Sequence, residues 1–195
     1  MINQMANKVA SVFVDFGLSS EENADIYAYA VEAIIALIIN LLIAVVVSLI
    51  FGMLLEGVAF ILIFAVLRRI AGGYHADSHK RCIAIFSGIV ITVMFLLSLA
   101  EQINLDNNFA LIISVIALLG ILAISATWRK ANRDDYTSYL GISVIGKFII
   151  IGAWIINVLV IYRYSVLLGF SISLAVLAVS GGILAQRIKF ALGRR

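Results

Sequence analysis

Six apolar runs, each near the length needed to cross a bilayer, dominate this 195-residue chain. They lie at approximately residues 30–50, 51–67, 82–100, 109–127, 141–162 and 165–185. A hydrocarbon layer ~30 Å thick takes about 20 helical residues. Inside it every backbone N–H and C=O must be satisfied within the segment. The runs are therefore expected to be helices, and the fold an all-α integral membrane protein with about six transmembrane helices. The second run is short if counted from Met53 to Leu67, and reaches span length only by including Phe51 or part of residues 68–71. Composition agrees, since 64% of the residues are hydrophobic and 13% charged, outside the range of soluble domains. Proline is absent, so the spans are expected to be continuous rather than kinked. No internal repeat, linker or low-complexity segment is visible, and residues 1–195 read as a single membrane domain.

Residues 1–18 place Ile2, Met5, Val9, Val12, Phe13 and Phe16 at three- and four-residue spacing. That is the pattern of an amphipathic helix lying in the membrane interface. A signal peptide is not expected, because no long apolar core with a small-residue cleavage site precedes Asp25. Ser19 with Glu22 has the spacing of a capping box that starts a helix leading into the first span.

Basic residues set the expected topology. Lys8, Arg68, Arg69, Lys80, Arg81, Arg129, Lys130, Arg133, Lys147, Arg187, Lys189, Arg194 and Arg195 fall on one side of a six-span chain. Of the fourteen basic residues, only Arg163 falls on the other. Both termini and the loop at 68–82 are therefore expected to be cytoplasmic. Cations confined to short loops are topology signals, and the net charge of +3 does not indicate nucleic acid.

The loop at 68–82, Arg68-Arg69-Ile70-Ala71-Gly72-Gly73-Tyr74-His75-Ala76-Asp77-Ser78-His79-Lys80-Arg81-Cys82, is a polar island between apolar runs. It contains both histidines and the only cysteine. A thiolate is a nucleophile, and a histidine partner can take its proton and return it to a leaving group. Cys82 falls where the third span begins. The positive end of a helix favours a thiolate, and Lys80 and Arg81 act in the same direction. On one continuous helix His75 and Cys82 would share a face but stand ~10 Å apart along the axis, too far for proton transfer. His75 is therefore expected on a loop that folds back, and Gly72-Gly73 can supply the bend.

Plainer readings stand beside this one. A lone membrane cysteine is most often a packing residue, an interfacial histidine is usually solvated, and Arg68, Arg69, Lys80 and Arg81 serve as positive-inside anchors. His75, His79 and Cys82 also have helical metal-ligand spacing. No fourth ligand is evident and the flanking cations oppose a metal, so neither a metal nor another cofactor is expected.

The pattern Arg68-Arg69-x-x-Gly72-Gly73-x-His75-Ala76 followed by Cys82 resembles the signature of the accessory gene regulator B (AgrB) family. These are membrane peptidases of Gram-positive bacteria that process and cyclise peptide-pheromone precursors for quorum sensing. Chain length, the amphipathic N-terminal segment, about six spans and the position of the loop resemble the family as well. The resemblance implies a cysteine peptidase with Cys82 as nucleophile and His75 as general base and acid, supported by Arg68, Gly72 and Gly73. It implies an AgrD-like precursor peptide as substrate, cut to release its C-terminal part and closed into a thiolactone or lactone. Members often carry Thr-Pro where this chain has Ser78-His79, so His79 is incidental by this reading. They also often carry a Pro- and Asn-Lys-containing segment after the fourth span, and residues 127–135 here have no proline.

Glu32 and Asp77 are further candidates for orienting His75, and Glu32 could instead pair with Arg68. Charges within spans are costly and usually face a bundle interior. The basic loops would meet an acidic peptide tail or anionic membrane lipid equally well. Gly141, Gly146, Gly152 and Ser87-Gly88 permit close helix contacts, which serve one chain or a homodimer alike. The competing class is a small transporter or peptide exporter. Against it, charged residues within spans are few and no pair of broken helices is visible.

Overall fold

The computed structural model describes residues 24–71, 79–128 and 144–193. Every regular element among them is an α-helix: α1 (Ala24–Ile50), α2 (Leu54–Ala71), α3 (His79–Gln102), α4 (Asn107–Trp128), α5 (Val144–Arg163) and α6 (Val166–Gly193). Arg81–Gln102, Asn107–Ile124, Gly146–Arg163 and Val166–Lys189 are long and apolar enough to cross a membrane. The chain is an all-α membrane protein. Of the other two helices, α2 is the short one. α1 has 27 residues, and no charged residue lies between Glu32 and its end at Ile50. α2 has 18 residues, with Glu56 in its first turn and Arg68 and Arg69 in its last. Its apolar middle is therefore shorter than the ~30 Å layer, as the brevity of the second run anticipates. The amphipathic segment 1–18 and the Ser19–Glu22 cap lie outside the described residues.

Helices outrun the apolar segments that mark them. α1 is already helical at Ala24, ahead of residue 30, and α6 is still helical at Gly193, beyond residue 185. An apolar run measures only the crossing of the hydrocarbon. The helix continues through the interface until a cap or a glycine stops it.

The chain divides into two compact units. The first comprises Met1–Ala44 and Ala76–Gly88, of which the start of α1 and the start of α3 are described. On α1 the small Ala36 and Ala44 are buried, while Leu37 and Leu42 are 66% and 59% exposed. Small residues inward and large apolar residues outward is the arrangement expected in lipid. On α3, Ser87 Oγ donates to the Ile83 carbonyl at 2.8 Å, so its hydroxyl is satisfied by its own helix.

The second unit comprises Val45–His75 and Ile89–Arg195, and is organised around α6. α6 packs against α2, α4 and α5, and α4 packs against α5. Half of the α6 span is buried, against 22–28% of the other three. Its serines explain how it can sit so deep. Ser173 Oγ donates to the Gly169 carbonyl at 2.9 Å and Ser180 Oγ to the Val176 carbonyl at 2.8 Å. Ser171 Oγ reaches across to the Glu56 carbonyl of α2 at 2.6 Å. Small side chains allow close approach, and each hydroxyl finds an acceptor where no water would supply one.

Tight turns close the three described hairpins. After α1, Gly52 adopts φ 70°, and Met53 N–H reaches back to the Ser48 carbonyl at 2.9 Å. That is a Schellman cap with glycine in the left-handed position. Asn104 (φ 49°) ends α3 in the same way, with Leu105 N–H donating to the Ala100 carbonyl at 2.9 Å. Asp106 Oδ2 accepts from Asn108 N–H at 3.0 Å to start α4. Ser165 Oγ accepts from Leu168 N–H at 3.3 Å to start α6. Both are N-caps. Beside the first turn, Gly57 of α2 faces Ser48, leaving no room for a Cβ. Ser48 Oγ in turn contacts Met94 Sδ at 3.7 Å.

Candidate active site

Cys82 lies in the first turn of α3, after His79, Lys80 and Arg81. It is half-buried and its thiol is free. The first N–H groups of a helix have no acceptor within it and form its positive end. A nucleophile of this type therefore stands at the membrane-entering end of a span-length helix. Glu32 belongs to the same unit as Cys82. It is half-buried on α1, near the start of the apolar run at residues 30–50.

Arg68 belongs to the second unit, in the last turn of α2. Its guanidinium carbon lies 6.0 Å from the centroid of the Phe64 ring. Phe64 in turn stacks on Phe60 at 5.6 Å with an interplanar angle of 21°. The four-residue spacing of Phe60, Phe64 and Arg68 puts all three on one helix face, and a cation over a ring face is attracted to it. The arginine is thus held by its own helix. His75, Gly72, Gly73 and Asp77 lie outside the described residues. Among the described residues no group of three or more His, Cys, Asp or Glu is arranged to hold a metal.

The structure also contains a polar cluster absent from the sequence reading. In the second unit, Trp154 Nε1 donates to Ser114 Oγ at 3.3 Å, and Asn157 Nδ2 donates to Ser173 Oγ at 3.0 Å. Ser114 Oγ itself donates to the Leu111 carbonyl at 2.8 Å. Asn157 is 3% exposed and its Oδ1 has no hydrogen-bond partner. That oxygen faces α6, because a Cβ built on Gly169 would lie 3.3 Å from it. These groups border a cavity of about 70 Å³. An asparagine inside an apolar run is the signal that could have marked the cluster. Toward the end of α6, the Arg187 guanidinium donates to the Ile124 carbonyl of α4. A residue read from sequence as a topology signal is therefore also a tie between two helices.

No curated protein and no solved structure matches the chain significantly. A family model described as accessory gene regulator B matches residues 2–181, nearly the whole chain and all of the polar loop. With an all-helical membrane fold and a free cysteine opening α3, the chain belongs to the accessory gene regulator B family.

Proposed function

We propose that this protein is a membrane-embedded cysteine endopeptidase that cleaves a short precursor peptide and cyclises what remains. Family membership supports a role in accessory gene regulator peptide maturation, and a precursor peptide as substrate. The single observation that carries the chemistry is the position of Cys82, the chain's only cysteine, in the first turn of α3. In this reading His75 takes the thiol proton and the thiolate attacks a backbone carbonyl. The C–N bond breaks, and the proton passes from His75 to the departing amine. A thioester to Cys82 remains. A thiol or hydroxyl within the bound peptide attacks that thioester, closing a thiolactone or lactone and restoring the Cys82 thiol.

Ring closure competes with hydrolysis, which is strongly downhill. The site must therefore exclude water and hold the internal nucleophile close, and a membrane interface supports both. N–H groups of the first turn of α3 are candidates for holding the oxyanion, with Arg68 as the alternative. In the same reading Gly72 and Gly73 bend the chain so that His75 returns to Cys82. Both termini and the loop face the cytoplasm, as the distribution of basic residues supports.

The test is reconstitution of the full chain in nanodiscs with a short precursor peptide that carries a central Cys or Ser and an acidic C-terminal tail. Mass spectrometry should find a released C-terminal fragment, a cyclic product and a hydroxylamine-sensitive adduct on Cys82. All three should be lost in Cys82→Ala. Cleavage by Cys82→Ala would overturn the assignment. Peptide transport by Cys82→Ala, with no cleavage by the wild type, would replace it with export.

A further inference from the structure

The cavity in the second unit has one wall on α2, at Ile63, Val66 and Leu67. A facing wall lies on α5, at Ile149 and Ile150. Val66 and Ile149 line it and yet are 53% and 50% exposed on the protein surface. The cavity therefore opens sideways, into hydrocarbon. The polar donors at its inner end, Trp154 Nε1, Ser114 Oγ and Ser173 Oγ, are engaged with one another or with backbone carbonyls. With Asn157 Oδ1 turned to Gly169, the interior presents mainly apolar surface.

On each of these two walls a cation lies within one helical turn of the lining residues. Arg69 lies three residues beyond Val66 on α2, and Lys147 three residues before Ile150 on α5. Residues at that spacing share a helix face, so each cation stands over its own wall of the cavity. Arg69 is exposed and Lys147 half-buried. The described acids of this unit, Glu56, Glu101 and Asp106, sit at the opposite helix ends. From Lys147 to Asn157 the axis of α5 descends ~15 Å, about half of a ~30 Å hydrocarbon layer.

An occupant that reaches from these cations into the cavity must therefore be apolar along that path, anionic at one end, and supplied laterally from the membrane. A helix is about 10 Å across with its side chains, too wide for a cavity of about 70 Å³. A short run of methylenes fits. We infer that this cleft is a binding site for an anionic phospholipid. Part of an acyl chain lies between α2 and α5, and the phosphate is held by Arg69 and Lys147.

The two tryptophans of the chain make the site directly observable, because Trp154 lines the cavity. The full chain carrying Trp128→Phe is reconstituted in nanodiscs of phosphatidylcholine. Increasing fractions of acyl-brominated phosphatidylglycerol or acyl-brominated phosphatidylcholine are then introduced. Trp154 emission should be quenched at a lower fraction of the anionic lipid. Arg69→Gln and Lys147→Gln should each reduce that preference roughly 5-fold, the equivalent of about 1 kcal/mol per cation at an anionic headgroup. Lys147→Arg should retain it, and Lys189→Gln, at the same end of α6, should leave it unchanged.

Raising the salt concentration should erode the preference without any substitution, which keeps the test valid if a variant fails to fold. Equal quenching by the two lipids, or a preference indifferent to salt, would overturn the site. An equal loss in Lys189→Gln would mean a diffuse surface potential instead. Quenching independent of headgroup but relieved by a synthetic amphipathic peptide would assign the cleft to a peptide.

Discussion

Replacing Gly57 by alanine sets two physical effects against each other, and the structure decides which prevails. Alanine in a helix interior is favoured over glycine by about 1 kcal/mol. At this position, however, the added Cβ would overlap both Oγ and Cβ of Ser48, and would touch Met94 Cε at 3.7 Å. Ser48 is fully buried. Its hydroxyl can rotate, but its Cβ is fixed to the α1 backbone, so the helices must move apart. Overpacking of this kind costs typically 1–3 kcal/mol. The expected net result for Gly57→Ala is a loss of up to about 2 kcal/mol after the propensity gain. The assay is reversible unfolding in mixed micelles, followed by tryptophan emission. Ser48→Ala should not rescue the loss, because the conflicting Cβ remains. In a Ser48→Gly background the conflict disappears, and Gly57→Ala should become stabilising by up to about 1 kcal/mol. The sign of one substitution thus reverses with a second residue on the facing helix. An unchanged sign would refute the reasoning.

Four further outcomes are expected. Asn157→Leu should change stability by less than about 1 kcal/mol, since intramembrane hydrogen bonds contribute little on average and an unpartnered oxygen is removed. Asn157→Asp should lose about 3 kcal/mol at neutral pH and recover in acid, and unfolding curves in the opposite order would contradict its burial. Alkylation of the sole cysteine at pH 7 should be slower in His75→Ala than in wild type, and equal rates would separate the histidine from the thiol. Glu32→Gln should slow peptide processing while leaving membrane insertion intact, and a fully active variant would remove Glu32 from the mechanism.

The parts of the molecule legible in the sequence are those that the bilayer dictates. Apolar runs mark α3, α4, α5 and α6 because the hydrocarbon rewards nothing else at those positions. Glu56, Arg68 and Arg69 likewise foretell the short apolar middle of α2. Cys82 is visible as an isolated thiol after a polar loop, and its place at the start of α3 follows from where the next apolar run begins. What a helix meets on its neighbours is not legible. Ser48 reads as one serine among many, and only the structure shows it pressed against Gly57. Asn157 and Ser173 are 16 residues apart, and their bond depends on the register of the α5–α6 hairpin. Arg187 illustrates both levels, as a basic residue after the last apolar run and as a donor to the Ile124 carbonyl.

The central place of α6 bears on how the protein is made. α2, α4 and α5 each pack on α6, yet all three precede it in the chain and leave the ribosome first. Until α6 inserts, their inward faces have only lipid or each other to meet. Asn157 waits for Ser173, and the carbonyl of Glu56 for Ser171. The second unit is therefore assembled at the end of translation rather than progressively. A ribosome stalled within α6 would leave a chain whose polar residues are displayed to the membrane, which is the kind of surface that membrane quality-control proteases can recognise.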